Sequence, residues 1–110
     1  MRYELRYLPS FVEDYWETLY YISYKLYAPQ AARRLLDRAD TIIAKLAENP
    51  KLGRKYITLN GNETPYRRLI VRNHIVFYRI DEDAQEVRVH RIVYGGRDLD
   101  RIVGELPRDE

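Results

Sequence analysis

Between Tyr66 and Arg101 the sequence places eight arginines and no lysine, while the acids gather in the turn at 81–86. That choice has chemical content, because a guanidinium fork matches phosphate, carboxylate and aromatic faces in a way an ammonium does not. Metal-free cleavage of RNA would use such groups: it needs a base for the 2′-hydroxyl, an acid for the leaving oxygen and cations on the charged phosphorane. Arg67, Arg79, Arg91 and Arg97 are the candidate cations. The proton-transfer partners are harder to find. Tyr94 would need neighbouring arginines to acidify its phenol, and nothing in the order of residues brings His74 or His90 to it. The same arginines also fit a solvated sheet face laced with ion pairs, in which Arg97 would pair with Asp98 or Asp100.

Other chemistries are less well supplied. There are no cysteines, so no disulfide framework exists and a reducing compartment such as the cytoplasm suits the chain. The two histidines have no carboxylate at ligand spacing, so no metal is expected. No phosphate loop, dinucleotide fingerprint or nucleophile elbow is present, so no cofactor is expected either. The opening MRYELR lacks an apolar run behind its arginine, and no stretch approaches the ~20 apolar residues of a membrane span. A net charge of +2 over 110 residues says little about partners, and the length suits one domain spanning 1–110.

The elements that must position these residues follow from periodicity and punctuation. Residues 2–8 alternate and predict a strand, stopped by Pro9. Ser10 with Glu13 predicts a capping box, after which apolar residues at 12, 15, 16, 19, 22, 23 and 26 predict a helix to about Tyr27. Pro29 opens a second helix, with Ala32, Leu35, Leu36, Ala39, Ile42, Ile43 and Leu46 on one face, that ends at Asn49-Pro50. Residues 50–65 read as an irregular linker with a brief extended piece at 56–59. Strands at 66–72, 75–80 and 86–94 then form an antiparallel meander, with Asn73-His74 and 81–85 as its turns. The run Ile75-Val76-Phe77-Tyr78 is apolar on both faces and marks a central strand covered on both sides. A short amphipathic tail follows Gly95-Gly96. The order β-α-α-β-β-β predicts an α+β fold, a helical hairpin on one face of a small, mostly antiparallel sheet.

The first helix is too aromatic for one core. Tyr15, Trp16, Tyr20, Tyr21, Tyr24 and Tyr27 point around most of its circumference. Some of these rings can lie at the rim with wet hydroxyls. A contiguous patch of tyrosine and tryptophan fits a protein partner better.

The stretch YRRLIVRNHIVFYRIDEDAQEVRVHRIVYGGRDLDRIV, preceded by a β-α-α unit carrying APQAARRLLDRADTIIAKLAENPKLGR, resembles the RelE/ParE superfamily of bacterial type II toxins, also known as plasmid stabilisation proteins. The resemblance covers residues 2 to about 103, and its most specific pieces are YRRLIV, IVFYRI and VYGGRDL in that order. It implies a cytoplasmic toxin held in a hetero-oligomer with an antitoxin whose C-terminal segment wraps and neutralises it. The superfamily divides by target: RelE-like toxins cut mRNA at the ribosome, and ParE-like toxins poison DNA gyrase without being nucleases.

Set against the RelE-like pattern, the chain keeps Arg67 and Arg97 but has Leu69 and Ile75 where the cutters carry further cations. If each missing cation supplied ~2–4 kcal/mol of transition-state stabilisation, the rate would fall by several powers of ten. VYGGRDL and HIVFYRI are similar to the ParE-like branch, with Tyr94 standing where a histidine is frequent. The resemblance therefore implies action on gyrase by binding, with Arg67, Arg79, Arg91, Tyr94 and Arg97 facing the target. Trp16, Tyr20, Tyr24 and Tyr27, with Ile75 and Phe77 on the sheet, would face the antitoxin. The alternatives are a ribosome-dependent, metal-free endoribonuclease using Arg67, Tyr94 and Arg97, and a non-toxic adaptor or nucleic-acid-binding module.

Overall fold

The computed structural model describes residues 2–107. A five-stranded mixed sheet in the order β1-β5-β4-β3-β2 is built from β1 (Glu4–Tyr7), β2 (Arg54–Ile57), β3 (Glu63–Val71), β4 (His74–Asp81) and β5 (Glu86–Tyr94). β1 runs parallel to β5, and every other neighbouring pair is antiparallel. Two helices, α1 (Pro9–Tyr20) and α2 (Pro29–Ala44), lie between β1 and β2 in sequence, and a short helix α3 (Leu99–Gly104) follows β5. This is the expected α+β architecture. Among the described residues no helix is long and apolar enough to cross a membrane.

The helical hairpin packs on one sheet face. From α1 and α2 it contributes Phe11, Leu35, Ala39, Ile42 and Ile43, which meet Leu69, Val71, Val76, Tyr78, Val87, Val89 and Ile92. α2 presents its apolar residues at spacings of three and four, so one stripe is buried. The opposite sheet face carries Tyr66, Ile75, Phe77 and Val93 beneath Ile102, Val103 and Leu106. β4 is therefore covered on both sides, as its unbroken apolar run requires, and the tail after the two glycines is the helix that covers its second face.

Several local expectations are corrected. Ser10 and Glu13 form no capping box: Leu8 occupies the N-cap without a side-chain bond, Pro9 opens α1, and Ser10 Oγ donates to the His90 carbonyl at 2.7 Å. After Tyr20 the helix widens into a π-helical turn, Tyr21–Lys25, and ends at Tyr27 in the left-handed region (φ 52°). The first meander turn is Arg72-Asn73, because Val71 pairs with His74, and it is Arg72 that takes the positive φ (57°). The supposed linker contains β2, and β3 begins at Glu63, three residues earlier than expected, with Pro65 tolerated where the β2–β3 register shifts. Gly53 allows the close approach of β2: its N–H donates to the Tyr78 hydroxyl at 2.9 Å, and that hydroxyl donates to the Pro50 carbonyl at 2.7 Å.

α3 is held by named bonds. Asp98 caps it by accepting from the Arg101 N–H, and Asp100 accepts from the Leu59 N–H at 3.0 Å and from the Tyr56 hydroxyl. Burial, with that carboxylate, pushes the Tyr56 phenol up to about 12, and the Tyr56 hydroxyl holds Asp100 below the usual carboxylate range.

Candidate functional site

Two aromatic rows run along α1 and the residues that flank it. The inner row begins with Tyr7 and continues through Phe11 and Tyr15, whose rings succeed one another at 5.4 and 5.3 Å, and Leu19 and Ile22 extend it over the core. The outer row, Trp16, Tyr20, Tyr24 and Tyr27, is open to solvent at 64, 57, 66 and 88 % exposure. Helical spacing of four brings the Tyr20 and Tyr24 rings to 5.0 Å, tilted at 41°. Tyr27 is both the most exposed of the four and held in a left-handed backbone that a tyrosine adopts only at a cost. Rings on both faces of one helix explain why the sequence overfilled a single core.

A cleft of about 770 Å³ opens between the hairpin and the end of the sheet. Its helical wall includes Asp14, Glu17, Tyr21, Ile22, Leu26 and Leu35, and its sheet end includes Arg72, His74, Ile92, Tyr94 and Arg97. The two glycines shape this end. A Cβ on Gly96 would come within 2.7 Å of the Tyr94 ring, and the Gly95 N–H donates to the Asn73 carbonyl at 3.0 Å. Tyr94 therefore lies over bare backbone and meets His74 edge-on at 5.9 Å.

Of the five residues expected to face a target, the structure brings Tyr94 and Arg97 together in the cleft and leaves the others elsewhere. Arg67 Nε donates to the Gly53 carbonyl at 3.1 Å, beside β2. Arg79 pairs in register with Arg88 toward the far end of β4. Arg91 is bound by Asp14 through Nε at 2.6 Å and a second nitrogen at 3.1 Å, and this carboxylate raises the guanidinium's pKa further. The ion pair expected for Arg97 is absent among the described residues, since Asp98 and Asp100 are engaged in holding α3.

Arg72 and His74 line the cleft without having been singled out for it. Both were assigned to the surroundings of a turn, and the one-residue change in turn register is what moves His74 onto β4 and Arg72 to the cleft. His74 is 8 % exposed, its Nδ1 has no hydrogen-bond partner among the described residues, and burial lowers its pKa. For the partner-facing residues the picture divides. The four rings of the outer row are exposed, whereas Phe77 is fully buried and Ile75 nearly so beneath α3, so a second chain can touch those two only in place of α3. Among the described residues no group of three or more His, Cys, Asp or Glu is poised to hold a metal.

The family model of the ParE toxin of type II toxin–antitoxin systems, parDE, matches residues 5–99. The fold is similar to that of the RelBE2 toxin–antitoxin complex from Mycobacterium tuberculosis, with a TM-score of 0.58 and 15% identity over 86% of this chain and 99% of that one. It is also similar to a chromosomal ParDE toxin–antitoxin system from P. aeruginosa, with a TM-score of 0.65 and 16% identity over 84% of this chain and 96% of that one. No curated protein matches the sequence.

Proposed function

The chain belongs to the family of ParE toxins of type II toxin–antitoxin systems, and from that premise we propose that it arrests growth in the cytoplasm by binding DNA gyrase and is neutralised by an antitoxin laid along α1. The observation that carries the antitoxin half is the outer row of Trp16, Tyr20, Tyr24 and Tyr27, four rings that the fold leaves more than half exposed. A disordered, amphipathic segment that folds on contact is suited to cover such a row.

The dispersal of the arginines supports binding over cleavage. A phosphorane needs convergent cations, yet of the four candidates only Arg97 lines the cleft, where Arg72 joins it: Arg67 is turned to Gly53, Arg79 lies toward the other end of β4 and Arg91 is held by Asp14. Mixed exposed aromatic and arginine side chains at the cleft, Tyr94 and Arg97, are residue types that anchor protein interfaces. Ribosome-dependent cleavage of mRNA is the second reading, favoured by one observation: Arg72, His74, Tyr94 and Arg97 line one cleft.

Induction of the gene alone and together with its neighbour tests the proposal. The expected result is growth arrest with DNA-damage signalling and intact transcripts, relieved by the neighbour, which should encode a short acidic or DNA-binding protein. Cut transcripts and early loss of translation would establish the second reading instead, and unaffected growth would leave only an adaptor.

A further inference from the structure

We propose that the cleft is a docking site for one acid-bearing segment of a protein, in which a carboxylate meets Arg72 and Arg97 while an adjacent apolar side chain lies against Ile22, Leu26 and Leu35. The inference rests on the binding reading above and names the chemistry that the cleft would receive. At about 770 Å³ the space takes several side chains, not a lone ion.

Three features specify the occupant. Arg72 and Arg97 are exposed and make no ion pair among the described residues, so two forked donors stand ready at the sheet end. His74 lines the cleft beside them, buried and with an Nδ1 that has no hydrogen-bond partner among the described residues, so its ring reports on whatever enters. Arg72 is also held in a left-handed backbone, a conformation that tends to persist where a side chain must be aimed.

The opposite wall decides between classes of partner. It is apolar along Ile22, Leu26 and Leu35, and it carries the carboxylates of Asp14 and Glu17. Asp14 is neutralised by Arg91, but Glu17 has no ion pair among the described residues. A nucleic-acid strand bears charge at each residue and would meet Glu17 as well as the arginines. A protein segment needs only one carboxylate at the arginine end and offers apolar side chains to the rest.

Selection of a random displayed peptide library on the full chain tests this. The enriched peptides should place Asp or Glu beside Leu, Ile or Phe, and should shift the His74 ring signals in NMR spectra. Their affinity should fall about tenfold or more for the Arg72→Ala/Arg97→Ala chain. The Arg72→Lys/Arg97→Lys chain, keeping the charge but not the fork, should recover only part of it. No enrichment, or enrichment indifferent to the double alanine change, would overturn the inference. So would a single-stranded RNA oligonucleotide that moves the His74 signals where acidic peptides do not, or a homodimer that buries the cleft. Growth arrest measured in parallel separates the two readings: arrest without selection overturns the docking site alone, whereas selection without arrest supports the docking site and removes the toxin assignment.

Discussion

One carboxylate oxygen of Asp14 accepts both from Arg91 Nε at 2.6 Å and from the Ile92 N–H at 3.1 Å. β1 pairs with β5 only as far as Tyr7 opposite Val89, so beyond that point the edge of β5 has no strand beside it. α1 takes over, with Ser10 on the His90 carbonyl and Asp14 on the Ile92 N–H. The helix thereby satisfies the edge polar groups that would otherwise invite another chain, and it fixes α1 against the sheet end where the cleft opens.

Asp14→Ala should therefore destabilise the fold by about 2–3 kcal/mol, because it strands a partly buried guanidinium and a backbone donor together. Urea denaturation measures this, and a double-mutant cycle with Arg91→Ala should return a coupling of about 1 kcal/mol or more. A change within a few tenths of a kcal/mol would show that the pair is solvated and idle.

Tyr27→Gly should act in opposite directions on two observables. Removing the side chain from a left-handed backbone relieves strain, so the isolated chain should gain up to about 1 kcal/mol of stability. Binding to the antitoxin should weaken, because an exposed aromatic anchor is lost. Calorimetric titration beside thermal denaturation separates the two effects, and Trp16→Ala should weaken binding with little change in stability.

Gly53→Ala should cost about 2 kcal/mol or more. A Cβ there would overlap the Arg68 carbonyl oxygen and sit 2.8 Å from the Tyr78 hydroxyl, forcing β2 away from β3. Denaturant midpoints measure the loss, and the Gly61→Ala chain tests a glycine with open space but a positive φ of 82°.

Two elements were legible in the sequence: α2 by its apolar stripe, and β4 by a short run rich in β-branched and aromatic residues between two turns. Short elements governed by tertiary context were not. β2 spans four residues and owes its pairing to the missing side chain of Gly53, while α3 is recognisable only once a second sheet face needs covering. Side-chain direction was the harder problem. Simple alternation after Val87 and Val89 sets Arg91 on the hairpin face, but the register shifts between Phe77 and Tyr78, leaving Arg91 opposite Phe77 and returning Ile92 to that core. Tyr94 and Arg97 were found because two glycines and a strand end mark a place. Arg72 and His74 were missed because a turn shifted by one residue changes what they face.

Stability should depend on His74 in a defined direction. Burial lowers its folded-state pKa below the ordinary 6.5, so the folded chain resists a proton that the unfolded chain accepts. Its contribution is therefore complete above about 6.5 and is lost as pH falls below that value. The unfolding midpoint should drop between pH ~7.5 and ~5.5 by more in the wild-type chain than in His74→Phe, and an equal drop in both would remove histidine from the explanation.

The most direct measurement adds the purified chain to DNA gyrase with plasmid DNA and, separately, to ribosomes programmed with mRNA. Trapped gyrase–DNA cleavage complexes and uncut message are expected, with the gyrase reaction restored to normal by prior addition of the antitoxin. Message cut at the ribosome with gyrase unaffected would contradict the proposed action on gyrase.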